Sequence, residues 1–390
     1  MAAEYDPHSY RIHEDPYPIY AALRKRCPVY HNERLDFWAL LGFREVQEAS
    51  RDWRALTTAH GTFLQSEVQA VQEFFPEEGK FLDMDPPRHT ELRNLIRGVF
   101  SAREIQKQEL KIRAIARKLI DKFTGGKVDL SLQFAAPFPV SVISELLGIP
   151  ECDEHDVAQW SHDLHLRETD GSLPEVAMKA GHNIHNYLQA MVDERRRSPR
   201  LDIVSRLAHS AIGGKSLTDR EVIGMSLLLY VAGNETTRMF LTSAFRLLAE
   251  NPEERARLAR DCAAIPAAIE EMLRFESPIS QEARTATREI EISGCPIPTG
   301  KQVLLVYGSA NRDERAFADA DKLIFSRPPQ RHLAFGEGIH YCIGAALARC
   351  EARVALEETL ARIPNYKLDG PVEWYHSSIL RGPVTLPVTL

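Results

Sequence analysis

The chain has 390 residues, 44% hydrophobic and 26% charged, with a formal net charge of -7 at pH 7. That balance describes a soluble globular protein able to bury a large core, and the acidic total argues against a nucleic-acid binder. Six scattered cysteines without a C-x-x-C pair, in a chain too long to need disulfide staples, read mostly as buried thiols.

From the start, "MAAEYDPHSYRIHEDPYPIY" carries neither the basic stretch nor the apolar run of a secretory signal, so a cytoplasmic protein is expected. "FWALL" (37–41) is the first strand-like piece. Residues 88–122 hold ten Lys and Arg against four Asp and Glu, which reads as a solvated helix face or as a docking patch for an acidic partner. Apolar positions three to four apart predict helices in "AREIQKQELKIRAIARKLIDKF" (102–123), "PEVAMKAGHNIHNYLQAMVDERRR" (174–197), "TDREVIGMSLLLYVAGNETTRMFLTSAFRLLAE" (218–250), "NPEERARLARDCAAIPAAIEEMLRF" (251–275) and "GAALARCEARVALEETLARI" (344–363). The longest apolar run, "VIGMSLLLYVAG" (222–233), falls short of the roughly 20 residues a bilayer needs, so no membrane span is expected. "HSAIGGKS" (209–216) ends like a phosphate loop, but its leading glycine position is His209 and no strand precedes it. Short strands follow in "EIEIS" (289–293), "GCPIPTG" (294–300), "KQVLLVYG" (301–308) and the terminal "GPVTLPVTL" (382–390). The expected fold is mainly α with a small β region (α+β), one domain over 1–390. Its minor sheet comes from roughly 28–60, 288–308 and 365–390, and its helical core from 85–275 and 343–362.

The chemistry concentrates in "HLAFGEGIHYCIGAALARC" (332–350). Gly336 and Gly338 permit backbone dihedrals closed to other residues, and a helix is expected from near Ile343, so Cys342 stands at a helix N-terminus, where thiolate is favoured over thiol. A thiolate is a nucleophile or a metal ligand. His340, two residues away, is badly placed as a base, and the paired Cys and His ligands of a zinc site are lacking. Haem iron needs only one axial thiolate and open space opposite, and this option fits best.

Position for position the stretch resembles the haem-binding signature of the cytochrome P450 family, Phe-Gly-x-Gly-x-His-x-Cys-x-Gly, in Phe335, Gly336, Gly338, His340, Cys342 and Gly344. The resemblance implies the P450 fold, a single triangular helical domain enclosing haem b (iron protoporphyrin IX). It makes Cys342 the axial metal ligand, Phe335 its packing neighbour, Gly344 the residue that keeps the helix close to the porphyrin, and His340 a propionate partner. "VAGNETTR" (231–238) alone reads as helix packing, with Ala232 and Gly233 opening one face and Glu235 and Thr236 placing an acid and an alcohol beside it. Beside the cysteine loop it resembles the family's oxygen-activating helix, with Glu235 and Thr236 as proton relay.

Glu271 and Arg274 are three apart on one helix face. They match the family's Glu-x-x-Arg, whose partner arginine falls at Arg327, in "LIFSR" where the family usually has Phe-Asp-x-x-Arg. The implied role is a structural ion network. His89 and Arg93 in "PPRHTELR" match the family's His-x-x-x-Arg, and Arg284 its arginine after that helix; these are the implied propionate partners.

The implied enzyme inserts one oxygen atom of O2 into an unactivated C–H bond of a medium-to-large hydrophobic substrate such as a terpenoid, steroid, fatty acid or polyketide-like macrolide. Implied partners are a ferredoxin and its NAD(P)H-dependent reductase, with the basic run and Arg349 and Arg353 facing the ferredoxin, no nucleic acid, no membrane, and a monomeric state. The alternatives are a peroxide-driven oxygenase or isomerase, which needs no acid-alcohol pair, and a non-catalytic haem-binding sensor. Expected pocket walls are 59–82 with Phe63, Phe74 and Phe75, about 160–185, Leu228 to Gly233, Pro278 to Ala283 and Ser378 to Leu380.

Overall fold

The structure, a computed structural model, describes residues 4–64, 77–164 and 174–390. Its centre is the helix Asp219–Glu250, the central helix. Thr218 opens it with a capping box: its hydroxyl accepts from the Glu221 N–H, while its own N–H donates to Glu221 Oε2 at 2.8 Å. Residues 222–230 and 237–245 are buried on every side, the signature of a helix through a core rather than on its surface. The helix Ala345–Arg362, the cysteine helix, packs against it and against Ala102–Ile120. No helix among the described residues is long and apolar enough to cross a membrane.

The main sheet has five strands: β1 (Val29–Asn32), β2 (Phe37–Leu40), β3 (Leu56–Thr57), β4 (Glu282–Ala286) and β5 (Gln302–Leu305), in the order β1-β2-β5-β4-β3. Only the β2/β5 pair is parallel. All four residues of β2 are buried, so both faces of the sheet are covered and no alternation survives in the sequence there. Mainly helical with a small sheet is therefore the observed class.

Local details depart from expectation. The stretch 251–275 is two helices, Pro252–Arg260 and Ile265–Phe275, joined by a 3-10 turn, because Pro266 has no N–H to continue the first and suits the start of the second. The cysteine helix begins at Ala345 with Gly344 as its N-cap, not near Ile343. "EIEIS" and "GCPIPTG" pair with each other, as the hairpin Ile290–Ile292 and Cys295–Ile297. The terminal strand shrinks to Pro387–Thr389, which pairs with Lys367–Leu368 and with Lys127–Asp129, a strand the sequence did not announce.

Candidate active site

Gly336 and Gly338 adopt φ of +67° and +72°, and a Cβ on Gly338 would collide with the Ser50 carbonyl oxygen. The loop therefore rests against the end of helix Phe43–Arg51. Its last turn holds the cysteine: the Cys342 N–H donates to the Phe335 carbonyl at 2.9 Å, and the Gly344 N–H donates to the sulfur. Burial pushes the Cys342 thiol up, against the Gly344 N–H and the Arg93 and Arg349 charges that favour thiolate. Desolvation thus outweighs the helix end, contrary to the expectation from position alone, and a cation at the sulfur is what would hold the charged form.

Helix Arg88–Arg97 sets His89 and Arg93 one turn apart. His89 is 2% exposed, and among the described residues neither of its ring nitrogens has a hydrogen-bond partner. Its ring lies 4.5 Å from that of His340, whose Nε2 meets Thr58 Oγ1 at 3.3 Å. Burial, then the Arg93 charge, pulls His89 down to about 4. Burial, then Arg284, His89 and Arg93, pulls His340 down to about 2. Arg284, buried on β4, donates to the Ala283 carbonyl at 2.7 Å and to Glu282 Oε2 at 3.0 Å. That same Glu282 oxygen accepts from the Tyr307 hydroxyl at 3.0 Å. Arg93 donates to the Tyr341 carbonyl.

These four donors, from helix Arg88–Arg97, β4 and the cysteine loop, converge with the carboxylates of Glu282 and Asp85 beside them. Buried cations and imidazoles are costly unless acceptors reach them, and His89 has two nitrogens still to satisfy. The two propionates of a haem, beside a thiolate for its iron, are the complement this donor set fits.

On the central helix, Thr236 Oγ1 donates to the Ala232 carbonyl at 2.8 Å, yet the helix stays α-helical throughout. Ala232 is exposed between the two buried stretches of the helix, and half-buried Thr236 follows it on the same stripe, so an opening lies along this face. Gly233 lies about 100° round from Ala232, where a Cβ would make an ordinary contact with Ile143 of helix Pro137–Leu147 at 3.4 Å. Glu235 Oε2 is buried without a hydrogen-bond partner among the described residues, and the Arg238 guanidinium stands off at 3.7 Å.

Three of the expected wall segments are stitched together by backbone: Ala283 N–H to Thr62 O at 2.7 Å, and Ser280 N–H to Ile379 O at 2.7 Å. Residues 65–76, with Phe74 and Phe75, and 165–173 lie outside the described residues.

Two further groups flank the site. Glu271 accepts a fork from Arg274 at 2.7 and 2.8 Å, and both its oxygens also accept from Arg327 Nε at 3.1 Å, while Arg274 also donates to the carbonyls of Asn311, Ala320 and Lys322. Burial opposes ionisation, but Arg274 and the Ile324 N–H hold the Glu271 carboxyl below its usual range. The basic run 88–122 is mostly spent internally. Lys107, Lys111, Arg113, Arg117 and Lys118 pair with Glu104, Glu145, Glu357, Glu358 and Glu151, and Arg349 and Arg353 pair with Glu270 and Glu109. Sequence counting could not see these acids because most come from other helices. Among the described residues, Arg97 and Arg103 keep no ion pair.

The family model for cytochrome P450 matches residues 162–365. A putative cytochrome P450 123 of Mycobacterium tuberculosis is 36% identical over 99% of this chain and 96% of its own length. The cytochrome P450 monooxygenase PikC of Streptomyces venezuelae is 34% identical over 96% of this chain and 91% of its own. A solved structure of a mutant P450 EryK in complex with erythromycin B superposes with a TM-score of 0.85 at 33% identity, covering 95% of this chain and 94% of that one. With the cysteine loop and the donor set in place, the chain belongs to the cytochrome P450 family of haem b monooxygenases.

Proposed function

We propose that the chain is a haem-thiolate monooxygenase for a medium-to-large hydrophobic substrate of the terpenoid, steroid, fatty acid or polyketide-like class. The observation that carries the reading is the buried His89, both of whose ring nitrogens lack a partner among the described residues, set with Arg93, Arg284 and His340 beside Cys342. In this reading Cys342 Sγ ligates the iron, and those four side chains neutralise and orient the propionates. Phe335 and Gly344 hold the sulfur in place, the first through its carbonyl and the second through its N–H. When bound, haem supplies the activation of dioxygen, one atom entering a C–H bond and the other leaving as water.

On the opposite side, Glu235 Oε2 carries the proton and Thr236 Oγ1 passes it on, exchanging its present bond to the Ala232 carbonyl for one into the opening. The bulk of the substrate fits the partner of the EryK neighbour, whose ligand is a macrolide. Electrons come from NAD(P)H through a reductase and a ferredoxin, whose acidic face would meet Arg97 and Arg103. The protein acts as a cytoplasmic monomer, one domain over 1–390.

The test is spectroscopic. Reduced, carbon-monoxide-treated protein shows the absorption of a sulfur-ligated haem, and Cys342→Ala abolishes it. An E235A/T236A variant keeps that absorption and loses dioxygen-driven turnover; unaltered turnover would favour the peroxide-driven or sensor reading instead. Macrolides, steroids, fatty acids and terpenoids are then screened for a shift of the haem band.

A further inference from the structure

Behind the cysteine loop lies an open concavity of about 830 Å³, lined among others by Tyr341, Cys342, Arg97, Glu109, Glu270 and Arg349. Arg349, in the second turn of the cysteine helix, links this surface to the loop. Its Nε and Nη2 grip Glu270 at 2.8 Å each, and its Nη1 reaches the Tyr341 hydroxyl at 3.3 Å. Its guanidinium carbon stands 4.3 Å from the centroid of the Phe335 ring, close enough for a cation–π contact. Phe335 is the residue whose carbonyl accepts the Cys342 N–H. Glu270 is further held by His332 Nε2 at 3.2 Å, and His332 Nδ1 accepts from the Ala334 N–H at 3.2 Å, so the network runs back into the loop itself.

A surface ion pair of this exposure, 36% for the Arg349 side chain and 29% for Glu270, ordinarily does little. This one differs in where its cation rests: on the aromatic residue hydrogen-bonded to the cysteine. We propose that Arg349 is a positioning residue that sets the reduction potential of the haem held by Cys342, its positive charge acting across Phe335 and being partly offset by Glu270. The inference rests on the reading of Cys342 as iron ligand. Reduction adds one electron to the centre, so a fixed positive charge beside the sulfur favours the reduced state and a negative one opposes it.

The two partners therefore act in opposite directions. In dye-mediated redox titrations of the haem-loaded enzyme, Arg349→Ala lowers the midpoint potential and Glu270→Gln raises it. Each shift is about tenfold in the reduction equilibrium, which is about 59 mV for one electron. Arg349→Lys, which keeps the charge and loses the fork, stays nearer to the wild type than alanine does. Equal potentials in wild type, R349A and E270Q, or shifts of the two in the same direction, overturn the proposal and leave the network a brace for the fold. If R349A fails to take up haem, the comparison of E270Q and R349K with wild type decides in the same way. Absence of sulfur-ligated absorption in the wild type itself sinks the ligand assignment, a separate failure.

Discussion

Around Glu271 and around His89 the molecule gathers two arginines apiece, yet only the first cluster is complete. Arg274 and Arg327 spend their donors on the Glu271 carboxylate and on carbonyls of the segment 311–322. In the second cluster Arg284 has the Glu282 carboxylate and Arg93 a backbone carbonyl, and among the described residues neither ring nitrogen of His89 has a hydrogen-bond partner. A satisfied cluster costs nothing to leave alone and braces the fold. An unsatisfied one is tolerated where a ligand completes it, so completeness separates scaffold from binding site among residues of the same type.

Breaking the complete cluster has the largest effect. Glu271→Gln leaves two guanidiniums buried around a neutral amide, and urea titration should show a loss of about 3–5 kcal/mol, with haem retention falling alongside. Next comes the incomplete cluster, where the sign of the contrast lies. Arg284→Gln weakens haem binding by about tenfold to a hundredfold in haem titration and lowers the urea midpoint of the haem-free protein less than Glu271→Gln does, since without haem that charge serves one carboxylate, Glu282. A loss of stability as large as that of Glu271→Gln would erase the distinction.

A pH series sharpens the same contrast. The unfolded chain protonates His89 near about 6.5, but in the folded haem-free protein its burial and Arg93 hold it to about 4. Between those values the unfolded state binds more protons, so stability rises with pH and drains away as pH falls through the window. Urea midpoints of the haem-free protein decline across it, and His89→Phe flattens the decline. The smallest effect is outside both clusters: reversing Arg97 and Arg103 to glutamate slows ferredoxin-driven reduction several-fold at low ionic strength and less as salt rises. A rate untouched by the reversal would remove the docking assignment.

Legibility followed the range of the interactions. The helix Asp219–Glu250 was readable because its cap and its apolar rows are local, and the cysteine loop because six fixed positions fall within ten residues. The strand β2 was readable from its run of apolar and aromatic residues although it carries no period, whereas the break ahead of Pro266 lay hidden inside a continuous helical pattern. Thr58 beside His340, Tyr307 on the Glu282 that serves Arg284, and Glu270 under Arg349 left no mark in the sequence near the residues they serve.

By itself the amino-acid order determined which side chains could meet a porphyrin and in what sequence along the chain they occur, since glycine dihedrals, helical spacing and a lone cysteine before a helix are properties of neighbours. Only the tertiary structure decided which charges remain uncompensated. That depends on acids and carbonyls brought from tens to hundreds of residues away, as Glu358 is to Arg117 and Asn311 to Arg274. Burial, and with it the cost of every unpaired polar atom, exists only once the chain has closed around them.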